Sequence, residues 1–83
     1  MSWQDTALAR FLVEYEKDGE GTMRQDWFQR KGLAVAFAVR ITRDGTAWPS
    51  EARISREIRD SRFAEWRPDR AIAPLDVIGG HLV

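Results

Sequence analysis

The side chains able to make or break bonds are few and poorly grouped. His81 is the only histidine among the 83 residues, and it follows Gly79-Gly80 without a companion ligand or proton acceptor beside it. Metal binding and general-base catalysis both require partners held rigidly around the imidazole. A solvated tail residue is therefore the expectation. With no cysteine available, a thiolate nucleophile or thiolate metal site is excluded, and a Ser-His-Asp arrangement would have to recruit that same histidine.

Carboxylate pairs are the next option, because two acids in one cleft can divide the roles of acid and base. Glu14 and Asp18 stand four apart beside Lys17, and Glu57 and Asp60 are interleaved with arginines. Solvated ion pairs account for both sets more simply. Gly19-Glu20-Gly21 follows a helical pattern, whereas a phosphate-cradling loop follows a strand, so it reads as a linker. No catalytic centre, cofactor or metal site is expected.

Binding chemistry is better represented. Eleven of the thirteen basic residues are arginine, whose planar fork matches carboxylates and phosphates more closely than a lysine ammonium does. Arg53, Arg56, Arg59 and Arg62 recur every three residues, which on a helix would set neighbours side by side across the exposed face. Arg67, Arg70 and Trp66 extend the group, and Arg40 and Arg43 lie at a second basic site. Glu57 and Asp60 can neutralise Arg53 and Arg56 locally, so a salt-bridged outer face competes with a patch that grips phosphates or an acidic protein. Trp3, Trp27, Trp48 and Trp66 are many for so short a chain, and tryptophan with arginine dominates interface energetics. At least two are expected in the core, with Trp3 or Trp66 partly exposed.

The elements that must position these groups follow from periodicity. Leu8, Phe11, Leu12 and Tyr15 form one helical stripe, and with Ser2 as N-cap they predict a first helix over residues 3–17, stopped at Asp18-Gly19-Glu20-Gly21. Thr22-Met23-Arg24-Gln25 matches a capping box, predicting a second helix from Met23 to Lys31, although Trp27 and Phe28 also suit a strand. From Leu33 to Ile41 every odd residue is large and apolar while Ala34, Ala36 and Ala38 alternate with them. Strand alternation predicts a strand at 33–42 with one bare alanine face, covered by a helix of this chain or by a second copy. Asp44-Gly45 then makes a tight hairpin turn, and Pro49 keeps the return strand short.

Ser50 caps a predicted third helix carrying Ile54 and Ile58, which ends near Asp60 and leaves Phe63 and Trp66 in a separate turn. The tail, with Pro68, Pro74 and Gly79-Gly80, is expected to dock as an irregular segment or an added edge strand through Ile72, Leu75, Val77 and Ile78. The resulting fold class is α+β in one domain over residues 1–83: two N-terminal helices, a β-hairpin, a third helix and a docked irregular tail. A helix-turn-helix regulator would need a short turn between two helices that this order does not provide.

Totals narrow the function. A chain this small buries only roughly 60–65% of its unfolded surface, and no disulfide can supplement its core. Thirteen acids cancel thirteen bases, which disfavours a general nucleic-acid coating protein. No run approaches the ~20 apolar residues of a membrane span, and no signal-like segment opens the chain, so a cytoplasmic protein without membrane contact is expected. Charge is nonetheless polarised: residues 2–20 carry a net three negative and residues 22–43 a net four positive. The expected function is a non-enzymatic binding protein that docks on a macromolecule, more readily a protein than a nucleic acid, with a homodimer possible. Small phage or mobile-element inhibitors of host machinery share this profile of size and missing active site. The alternative is a dimeric nucleic-acid-binding regulator using the arginine-rich helix and the Arg40 to Arg43 hairpin.

Overall fold

The computed structural model describes residues 2–83. A 3-10 turn at Trp3–Asp5 precedes β1 (Ala9–Lys17), β2 (Met23–Phe28), α1 (Lys31–Arg43), β3 (Ala47–Ile58), β4 (Arg67–Pro68), β5 (Leu75–Ile78) and β6 (His81–Leu82). All six strands join one antiparallel sheet in the order β2-β1-β3-β5-β6, with β4 beside the far end of β3. The expected arrangement of two N-terminal helices, a hairpin and a third helix is overturned. The three segments read as helices are largely strands, and the segment read as a strand is the helix.

Each reversal has a physical cause. A helix over residues 3–17 buries Leu8, Phe11, Leu12 and Tyr15 but leaves Val13 outside, whereas β1 places Phe11, Val13 and Tyr15 on one face and buries Val13 completely. Ser2 caps only the opening turn, its N–H donating to the Asp5 carboxylate at 3.0 Å. The Thr22 capping box never forms, because Met23–Phe28 pairs with β1 from Phe11↔Phe28 to Glu16↔Met23. Residues 31–43 become helical since alanine is the best helix former and Ala34, Ala38 and Ile41 also recur at helical spacing. Ala34 and Ala38 are fully buried against the sheet, while Ala36 faces solvent.

Asp44-Gly45 is a turn, as expected, but it ends a helix. The Asp44 N–H donates to the Arg40 carbonyl, Asp44 Oδ1 accepts from the Thr46 N–H at 2.9 Å, and Gly45 takes φ 85°, a conformation glycine adopts without strain. Pro49 does not shorten the return strand. The ladder with β1 instead breaks between Glu16↔Trp48 and Glu14↔Arg53, so residues 49–52 bulge past the break and β3 runs on for twelve residues. The third helix is thus replaced by the central strand of the sheet, and a helix-turn-helix is absent among the described residues. The docked irregular tail is likewise overturned: the tail forms β5 and β6, and β5 lies inside the sheet between β3 and β6.

α1 lies over one face only. The core beneath it joins Val13 and Tyr15 of β1, Ala47, Ala52 and Ile54 of β3, Val77 of β5 and Ala34, Ala38 and Ile41 of the helix, flanked by Phe11, Phe28 and Phe37. Thr42 is buried in this layer; its hydroxyl donates to the Ala38 carbonyl and accepts the Gly80 N–H at 2.9 Å, tying the β5–β6 turn to the helix end. A Cβ at Gly80 would stand 2.9 Å from Arg43 Nε. No described helix is long and apolar enough to cross a membrane.

Candidate functional site

Strand alternation decides which side chains share the face that α1 leaves open. Met23, Gln25 and Trp27 of β2, Arg10, Leu12 and Glu14 of β1, Arg53, Ser55 and Glu57 of β3, and Asp76 and Ile78 of β5 sit on it, as the pairings Leu12↔Trp27, Leu12↔Ser55, Arg10↔Glu57 and Arg53↔Asp76 require. Two zones with different characters result.

The first is a closed aromatic and ionic clasp. Glu57 Oε1 accepts from Arg10 Nε at 2.7 Å and from Trp27 Nε1 at 3.0 Å, reaching across Leu12, which is buried beneath them. The Arg10 guanidinium lies 4.9 Å from the Trp27 ring centroid and 4.2 Å from that of Trp66. Arg59 also stacks on Trp66 at 4.2 Å while donating to the carbonyls of Ala7 and Gln4. Each partly desolvated cation–π contact is worth roughly 0.5–2 kcal/mol. The clasp therefore ties the N-terminal turn and the loop after β3 to the sheet.

The second zone is open. Met23, Trp48 and Ile78, 60%, 57% and 43% exposed, surround a concavity of about 520 Å³ at the other end of the face. Glu14, Glu16, Glu51 and Asp76 line it, with Arg53 as the single cation. Arg53 is committed already, because its Nε donates to Asp76 Oδ1 at 2.8 Å and its Nη2 to Oδ2 at 3.3 Å. That bidentate pair holds the Asp76 carboxyl below, and the Arg53 guanidinium above, their ordinary values. Glu16 and Glu51 carry no ion pair among the described residues. The chemistry offered is an apolar, aromatic rim over uncompensated negative charge.

The sequence-selected arginines do not gather. Arg53 edges the concavity, but Arg56, three residues on, lies on the helix side and pairs with Asp69. Arg59 is absorbed in the clasp, Arg62 stacks on Phe63 at 4.9 Å, and Arg67 pairs with Asp60. Arg40 stacks on Phe37 and Arg43 abuts Gly80, both at the end of α1. Spacing by three aligns side chains on a helix and scatters them on a strand. None of the tryptophans is buried, contrary to the expectation of at least two in the core; Trp3 and Trp66 are partly exposed, as expected, and Trp48 is the most exposed. Sequence reasoning does not select Met23, Glu16 or Glu51 for a site, and it takes Glu14 only as a partner of Asp18 and Ile78 only as a tail contact; a two-residue period across 10–16 and 23–27 would have aligned several of them.

Glu14 accepts from Gln25 at 3.2 Å and lies far from catalytic pairing with Asp18, which occupies the β1–β2 turn at φ 39°. His81 is exposed opposite Ile78 on the β5–β6 hairpin. No three His, Asp or Glu side chains converge as a metal site among the described residues. Comparison with family models, with curated proteins and with solved structures finds no match for this chain.

Proposed function

We propose that this chain is a non-enzymatic binding protein that docks on a protein partner through the open face of its sheet, as an inhibitor covering a working surface would. The carrying observation is the concavity ringed by Met23, Trp48 and Ile78, large apolar side chains left in water by a chain with little apolar surface to spare. Exposed apolar groups with an aromatic at their centre are the usual anchors of a protein interface. The carboxylates of Glu14, Glu16 and Glu51 favour a partner surface presenting lysine or arginine beside an apolar residue. They disfavour a phosphate backbone at the same place.

The test compares partner capture from nuclease-treated lysate by the wild type, by Met23→Glu with Ile78→Glu, and by Arg40→Glu with Arg43→Glu. Capture that survives nuclease, is lost on altering the open face and persists on altering the helix end supports the reading. Nuclease-sensitive capture that depends on Arg40 and Arg43 overturns it in favour of nucleic-acid binding through α1.

A further inference from the structure

β2 is an outer strand of the sheet, opposite β6, and among the described residues no strand pairs with its free side. Its six residues contain no proline, and its register against β1 is unbroken, so neither a proline nor a bulge blunts this edge, and its two charges, Arg24 and Asp26, are of opposite sign. An edge of this kind is completed by another strand. We infer that the occupant is β2 of a second copy, joined antiparallel about a two-fold axis perpendicular to the sheet.

The argument rests on which registers the sequence allows. Such an axis keeps the helix side of both copies on the same side of the joined sheet, so only residues of like parity can face each other. Centring the axis on Gln25 sets Arg24 opposite the partner copy's Asp26, repeats that pair by symmetry, and sets Met23 opposite Trp27. Centring it on Arg24 would oppose two arginines, and on Asp26 two aspartates, directly across the strands. Opposite charges in facing positions stabilise an antiparallel pair and like charges destabilise it. Of these three central registers only the one centred on Gln25 pairs opposite charges, and it is self-complementary. Arg24 is available, since its pair with Glu20 at 3.0 Å is solvent-exposed, and Asp26 has a second oxygen beyond the Oδ2 that accepts from Tyr15.

Two six-residue edges form a smaller contact than the roughly 1,200–2,000 Å² of stable complexes. The dimer accordingly forms at high concentration and dissociates on dilution. The two readings share Met23, but the charge reversals separate them, because Arg24 and Asp26 lie on the helix side of the sheet, away from the concavity.

Sedimentation velocity over a concentration series tests it with two charge reversals. Arg24→Asp opposes aspartates at both pairs, Asp26→Arg opposes arginines, and each variant alone is expected to remain monomeric where the wild type dimerises. Mixed in equal amounts, they regain complementary pairs and are expected to recover the dimer. Because Asp26 also binds Tyr15, a second measurement guards against a variant that fails to fold: a half-labelled wild-type sample should show magnetisation transfer between Met23 of one copy and Trp27 of the other. A wild type that stays monomeric throughout, a dimer indifferent to both reversals, or a dimer lacking the Met23 to Trp27 contact overturns the inference.

Discussion

At the scale of single residues, charged side chains do structural work that their sequence spacing conceals. Arg56 occupies a helix-side position of β3, facing Phe11, where alternation calls for an apolar residue. It is accommodated because Asp69 comes in from the loop after β4: the two side chains pair, and the Asp69 N–H donates to the Arg56 carbonyl at 2.9 Å. Asp69 Oδ1 also accepts from Ala71, so one carboxylate organises the whole turn. The Arg56 hydrogen bond, more than any other influence, holds the Asp69 carboxyl below its ordinary value, and Asp44 and Asp76 are shifted the same way by Thr46 and Arg53. A depressed folded-state value means stability that is complete above the unfolded carboxyl pKa of about 3.9 and is lost as pH falls through the folded value. The melting temperature should therefore fall in acid below about pH 4. Asp69→Asn should melt lower than the wild type at neutral pH and lose less on acidification, as thermal unfolding followed by circular dichroism would show. Equal acid sensitivity in the two proteins would remove the Arg56–Asp69 pair from this account.

At the scale of elements, the helix is the best test of how the sequence was translated. Leu33 to Ile41 carries two periods at once: odd positions are large, as in a strand, and Ala34, Ala38 and Ile41 fall on one helical stripe. The helix prevails because alanine at 34 and 38 lets its backbone approach the sheet closely, and Ala36 then points away. Ala36→Arg should accordingly change stability by no more than about 0.5 kcal/mol. Ala38→Leu, forcing a larger side chain between helix and sheet, should cost about 1–3 kcal/mol. Urea unfolding measures both, and a reversed order would mean that the helix turns its other side inward.

The same ambiguity explains what was legible beforehand. Turns at Asp18-Gly19 and Asp44-Gly45 and the docking of Leu75 and Val77 were readable because glycine conformation and apolar identity are local properties. Strand or helix at 9–17 and 47–58 was not, because Leu12 and Ile58 complete helical stripes by coincidence and only the β1–β3 pairing, about forty residues apart in sequence, decides between them. The candidate site was hidden for that reason. Met23, Glu16, Trp48 and Ile78 come from four strands and share nothing until the sheet assembles.

At the scale of the whole molecule, the apolar core and the proposed docking surface lie on opposite sides of one sheet. Four of the ten buried apolar residues are alanines, so the layer beneath α1 is thin and depends on Val13, Ile41, Ile54 and Val77. A domain of this size has roughly 4–12 kcal/mol of stability at about 0.05–0.15 kcal/mol per residue. Truncating Ile54, 3% exposed where β1, β3 and β5 meet, should cost about 2–5 kcal/mol and bring Ile54→Ala close to unfolding. Trp48 is the larger side chain but stands mostly in water, so Trp48→Ala should alter stability by no more than about 0.5 kcal/mol. If Trp48 anchors a partner, that same change should remove most of the affinity, a loss of about 2 kcal/mol or more being usual for a central tryptophan. Urea midpoints and partner titrations on the two variants separate the two roles, since Ile54→Ala should still bind under conditions where it remains folded. A Trp48→Ala protein that binds its partner undiminished would move the docking surface away from the concavity.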